Sequence, residues 1–302
     1  MLSYLHSFHA GNHADILKHV TLLYVLEYLN KKEKPYSFFD THAGSGLYDL
    51  MAENALKTGE ARLGIERLLS EYKKNAPEMP SALAPYLDFV KKSLENGFYP
   101  GSPAFEISFS KKSSFINLTE LHRTEFESLK KNVERLKPSC SVNLLNDSGW
   151  NILKKNIPPA IKRGAILCDP SYEEKSDYTD AAELLSAAHK KWSAATVLLW
   201  YPLLANKSEE IENMKQSILS AAKNRDSHTE ILDARLLVDT EDSHTETTLE
   251  KSIGSERPRL YGSGMFVVRP CWGLKEHLES VLPYLAELLG KEGNGSYKIE
   301  LF

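Results

Sequence analysis

Four acidic residues each stand at the end of a stretch rich in apolar and β-prone residues. They are Asp40 after PYSFF, Glu120 in SFINLTEL (114–121), Asp147 in CSVNLLND (140–147) and Asp169 after GAILC (164–168). A carboxylate only accepts hydrogen bonds, so acids gathered on one edge suit a ligand that brings hydroxyls and amino groups. Asp40 opens Asp-Thr-His42-Ala-Gly44-Ser-Gly46, whose glycines let the backbone approach a ligand closely. Asp147 is followed by Ser148, and Asp169 by Pro170, Ser171 and Tyr172. Helix capping and loop solubility would account for any one of these acids. They account less well for all four.

The acids share an edge only if the runs before them are neighbouring strands. Three further runs follow, ATVLLWYP (195–202), TEILDARLLV (229–238) and GMFVVRP (264–270), with helical patterns such as 123–136 and 178–191 between several of them. Strands alternating with helices indicate an α/β domain around a mostly parallel sheet, here of seven strands. The uninterrupted AILC and VLLW suit central strands covered on both faces. Residues 14–30 and 274–290 have helical spacing, and two helical patterns between about 61 and 96 break the alternation. The expected organisation is a core of 1–49 with 102–302 and a helical insertion subdomain, 50–101. In such a sheet ligands bind at the carboxyl ends of the strands, where the acids stand.

Bulk properties exclude more than they select. The chain has 302 residues, is 42% apolar and 26% charged, and carries a formal charge of −4. Cys140, Cys168 and Cys271 are scattered, which argues against a disulfide framework or zinc site and suits a reducing cytoplasm. The opening residues lack a basic stretch leading into an apolar core, so no signal peptide is expected, and no apolar run is long enough to span a membrane.

A pyrophosphate cofactor would call for G-x-G-x-x-G and one ribose acid about 20 residues on; Glu120 instead lies 80 residues after Asp40. S-adenosylmethionine, with ribose, adenine and an amino acid but no phosphate, fits the acids better than NAD. Asp169-Pro170-Ser171-Tyr172 then resembles the D-P-P-Y motif of amino-methyltransferases. In that family the acid and the proline carbonyl accept the protons of a target NH2, freeing a lone pair otherwise delocalised into adenine for in-line attack on the sulfonium methyl. Holding nucleophile and methyl in line is worth roughly 7–11 kcal/mol. Tyr172 is expected to stack on the target base, a contact of about 1–3 kcal/mol.

The stretch SFHAGNHADILKH (7–19) resembles the opening of the bacterial 23S rRNA adenine-N6 methyltransferase J family. The likeness continues through FFDTHAGSGLY, TGE (58–60), YPGSP (99–103), LTELH (118–122), the Asp169 motif, LWYP (199–202) and GSGM (262–265). It implies a Rossmann-like class I methyltransferase that methylates a single 23S rRNA adenine, free or in a partly assembled particle, without a metal or an obligate protein partner. It also implies that S-adenosylmethionine is contacted by His19, His42, Ser102, Glu120, Asp147, Ser148 and Asp169. Asp169 would be catalytic, and Tyr4 with the histidines, His6 and His9 among them, would lie near the substrate nucleotide. The family carries proline where this chain has Ser171, so a less rigid loop is expected rather than lost activity.

An RNA substrate needs a local basic patch, whatever the net charge. Candidates are Lys18, Lys162, Arg163, and Arg257 with Arg259 in the loop GSERPRLYGSG. A buried adenine would have to be flipped out to reach Asp169. A DNA adenine methyltransferase would use the same chemistry but usually brings a larger recognition domain, and protein-glutamine methylation typically uses Asn at the Asp169 position. A catalytically dead RNA-binding relative would lose the acids, and all four are present.

Overall fold

The computed structural model describes residues 6–241 and 260–302; Tyr4, Arg257 and Arg259 lie outside them. The first helix, α1 (His13–Asn30), starts at Asn12, whose side chain accepts from the amides of Ala14 and Asp15 at 2.9 and 3.0 Å. It is buried on nearly all sides, as a helix packed between other helices and a sheet must be.

After β1 (Ser37–Asp40), the short β2 (Leu47–Tyr48) leads into α2 (Glu53–Thr58), α3 (Glu60–Leu63), α4 (Ile65–Asn75) and α5 (Ala84–Glu95). β3 (Tyr99–Pro100) then returns to pair antiparallel with β2. This pair closes the helical excursion at its neck, so the chain re-enters the main fold beside the point it left. The core alternation follows: α6 (Ser102–Phe109), β4 (Phe115–Thr119), α7 (Arg123–Leu136), β5 (Ser141–Leu145), α8 (Gly149–Asn156), β6 (Gly164–Cys168), α9 (Ser176–Lys191), β7 (Thr196–Leu203), α10 (Ser208–Arg225) and β8 (Ile231–Leu237). The chain ends with β9 (Gly262–Val268), α11 (Leu274–Leu289) and β10 (Ser296–Leu301).

The strand order is β10-β8-β9-β7-β6-β1-β4-β5. Strands β5, β4, β1, β6 and β7 run parallel, and β9 runs antiparallel between β7 and β8. All seven strands read from the sequence are present, in a Rossmann-like sheet. The eighth, β10, corrects the count. Its SYKIEL alternates polar and apolar residues and is largely exposed, as suits a charged edge strand, so it offers no apolar run to recognise.

Two apolar clusters cover the sheet. In β6, Ala165 and Leu167 face the cluster that includes α1, whereas Ile166 and Cys168 face that of α9 and α10. Continuous apolarity thus does report a strand covered on both faces. Register aligns Asp40 with Leu118 of β4 and Leu167 of β6, so the acids after these strands meet at one edge. The order reverses at β1, making the crevice between the β1 and β6 tips the switch point.

Loss of the α1 cap leaves two amides without their acceptor. Asn12→Ala should lower stability by about 0.5–2 kcal/mol in denaturant titration; an unchanged midpoint would contradict the cap.

Candidate active site

A cavity opens at that switch point. Its walls include His6, Lys18, His42, Gly44, Tyr48, Ser102, Glu120, Glu125, Ser148, Trp150, Asp169, Ser171 and Asp177. The sequence placed Asp40, the glycine loop, Ser102, Glu120, Ser148 and Asp169 together, and the structure brings them together.

The glycine loop is held by acids. Asp40, fully buried, accepts the His42 amide at 3.0 Å on one oxygen and the Ser102 hydroxyl at 2.7 Å on the other. Glu120 accepts the amides of Gly44 and His122 at 2.8 and 2.7 Å. Ser45 donates its hydroxyl to Glu125. Gly44 has φ +58°, and a Cβ there would stand 2.2 Å from the Tyr48 hydroxyl oxygen, so glycine is required by both conformation and space. Several loop donors are therefore already taken by carboxylates. Such a loop makes a poor phosphate cradle.

Asp147 holds the next wall from behind. Its carboxylate accepts the Ser148 amide at 2.7 Å and the Asn151 side chain at 3.1 Å, with Lys155 at 3.4 Å. It does not line the cavity; Ser148, Gly149 and Trp150 do, with Trp150 set edge-on to His42 at 5.0 Å between ring centroids. Leu121, half exposed, supplies a second apolar lining group.

At the tip of β6, Lys18 places its ammonium 2.5 Å from Asp169 and 2.9 Å from Asp15. Asp15 also accepts the Gly11 amide at 2.8 Å and binds His6 at 3.0 Å. Burial opposes charge on Lys18, but the two carboxylates hold its ammonium well above the ordinary lysine range. Burial likewise opposes Asp15, and His6 and Lys18 together keep its carboxyl well below the usual range.

Several expectations need correction. Lys18 is not a surface cation for RNA: only 4% exposed, it bridges two acids. His19 is fully buried behind the cavity beside Phe105, with Nδ1 3.2 Å from the Tyr99 hydroxyl. His9 pairs with Glu60 at 3.0 Å, outside the lining residues. Lys162 and Arg163 precede β6 and so sit at the opposite edge, where Arg163 donates to backbone carbonyls of Lys34 and Leu29. Tyr172 is buried in the second apolar cluster with φ +54°, and its hydroxyl donates to the Trp200 carbonyl at 2.8 Å. In this position it does not stack on a base in the cavity. Sequence reasoning missed Tyr48, Glu125, Trp150 and Asp177. Glu125 and Asp177 each lie in the first turn of a helix after a strand tip, the one signal that pointed to them.

Burial also keeps histidines neutral, depressing His19 to about 3 and His42 and His13 to about 4. The unfolded chain protonates these near 6.5, so it binds more protons than the native state between about pH 4 and 6.5. Each such histidine adds a slope of about 1.4 kcal/mol per pH unit. Asp40, raised by burial to about 6, acts in the opposite direction, as do Glu106 and Glu120, which burial also raises. The three histidines, with His277 lowered to about 4 as a fourth, outweigh them. Stability should fall steadily from pH 7 to pH 5 in denaturant titrations; a flat profile would contradict the neutral assignments.

The chain is 33% identical over 304 residues to the Ribosomal RNA large subunit methyltransferase J of Haemophilus influenzae, covering 99% of this chain and 98% of that one. Identity to the Escherichia coli protein of the same name is also 33%, over 98% and 96% of the two chains. A crystal structure of a Legionella pneumophila protein superimposes with a TM-score of 0.80 at 28% identity, covering 97% of this chain and 98% of that one. The model of the family described as Ribosomal RNA large subunit methyltransferase D, RlmJ, matches residues 33–302, and the chain belongs to that family.

Proposed function

We propose that this chain transfers a methyl group from S-adenosylmethionine to N6 of one adenine in 23S rRNA, as a cytoplasmic enzyme. The observation that carries the reading is the cavity itself. Asp169-Pro170 stands beside a glycine loop whose donors are taken by acids, and four lining carboxylates (Glu120, Glu125, Asp169, Asp177) face one lining ammonium, Lys18. Such a field favours a ligand with net positive charge and no phosphate. The names of the two curated relatives supply the class of substrate.

S-adenosylmethionine, when bound, would supply the sulfonium methyl. Glu120 would accept the ribose hydroxyls, and Ser148 with Trp150 and Leu121 would hold the adenine ring. His42, Gly44 and Ser102 would border the methionine part. Asp147 acts indirectly, by fixing the Ser148 amide. Lys18 engages Oδ2 of Asp169, leaving Oδ1 to accept one proton of the target amine while the Pro170 carbonyl accepts the other. Both acceptances draw the nitrogen toward tetrahedral geometry and leave its lone pair free to attack. His6, which lines the cavity and packs 5.1 Å from Tyr48, would border the substrate base. The segment 50–101 would be the small subdomain beside the methyltransferase core, joined to the N-terminal segment through Asn54–Ser7 and Thr58–Phe8 hydrogen bonds.

The test is transfer of labelled methyl to unmodified 23S rRNA, with nucleoside analysis. Wild type should yield N6-methyladenosine at one site, and Asp169→Ala should lose at least about 100-fold in turnover while remaining folded. Methylation of another nucleoside, or a fully active mutant, would contradict the reading. Ser171→Pro should change turnover by less than about tenfold; a larger gain would show the native loop to be poorly preorganised.

A further inference from the structure

One buried acid has no place in the chemistry above. Glu106 lies four residues after Ser102 on α6, so both side chains project from the same helical face. It is fully buried, and neither of its carboxyl oxygens has a donor to accept from among the described residues. The group set against it is a second acid, Asp40, to which it can bond only by carrying a proton itself. Such a group is costly unless it is neutral or paired. The acid acting on it is Asp40, itself fully buried and already holding the His42 amide and the Ser102 hydroxyl.

Two adjacent carboxyls in a dry core cannot both ionise. Burial first, and then the Asp40 carboxyl, hold Glu106 well above the ordinary carboxyl range, with Cys140 adding to the shift and Lys18 opposing it. Both effects favour the protonated form of Glu106. Burial raises Asp40 to about 6, Asp169 adds to that, and the Ser102 and His42 hydrogen bonds and Lys18 oppose it. Glu120 and Cys168 also feel the Asp40 charge, and Tyr36 faces Glu106. Lys18 is the one cation among these groups.

We propose that Glu106 is a positioning residue for cofactor binding: it shares its carboxyl proton with Asp40, and so fixes the Asp40 carboxylate that anchors the cavity wall at His42 and Ser102. Rising acidity adds a second proton to the pair. Asp40 then loses an acceptor position, and one of its two anchored groups is released. Glu106 touches neither cofactor nor substrate. The identity of the cofactor rests on the function proposed above, whereas the shared proton does not.

Two readouts separate these ideas. Carbon-detected NMR titration of the Asp40 carboxyl in the free protein should show a midpoint near pH 6. Calorimetry with S-adenosylmethionine should show binding about tenfold weaker at pH 5 than at pH 7, because only about a tenth of the protein is then in the competent form. Glu106→Gln, neutral and still a donor, should keep both profiles. Glu106→Leu removes the donor and should move both midpoints upward. Unmoved midpoints in Glu106→Leu, or equal displacement in Glu106→Gln, would overturn the shared proton. Midpoints that move as stated, with no binding of S-adenosylmethionine at any pH, would overturn the cofactor reading instead.

Discussion

The ammonium of Lys18, held between Asp15 and Asp169, joins two parts of the chain 151 residues apart. Placing a charged triad on a buried helix is expensive, because desolvation offsets much of the attraction between the charges. Apolar residues in its place would stabilise the fold as well or better. What the triad provides is geometry. It fixes the N-terminal segment, through Asp15 with His6 and Gly11, against the tip of β6. The wall of the cavity that precedes the sheet in sequence is thereby set against the wall that the sheet builds.

The same economy governs the glycine loop. A loop with free amides would attract phosphate, as helix N-termini and nests do. Here Asp40 and Glu120 take the His42 and Gly44 amides, and Glu125 takes the Ser45 hydroxyl. The loop keeps left-handed glycines at Gly44 and Gly46, while Glu120 and Glu125 line the cavity beside it. On the function proposed above, electrostatics more than shape would separate a phosphate-free cationic cofactor from a dinucleotide in this site.

Much of this was legible in the chain because strand tips are marked twice, by an apolar run and by the acid that ends it. That marking located Asp40, Glu120, Asp147 and Asp169, and the parallel register then placed them on one edge. It did not reveal which acids enter the cavity, because side-chain direction depends on local partners: Asp147 turns to its own Ser148 amide, whereas Glu125 reaches across to Ser45. His19 and Tyr172 were misplaced for a related reason. Each sits beside a site residue in sequence but packs into apolar surroundings, His19 against Phe105 and Tyr172 against Tyr178. The edge strand β10 escaped notice because an exposed strand needs no apolar face.

On the proposed function, the cavity selects a phosphate-free cationic nucleoside. Parallel calorimetric titrations at neutral pH with S-adenosylmethionine and with NAD test it most directly. The expected result is saturable one-to-one binding of S-adenosylmethionine, weakened by Glu120→Gln, and no measurable heat from NAD. Binding of NAD in place of S-adenosylmethionine would contradict it.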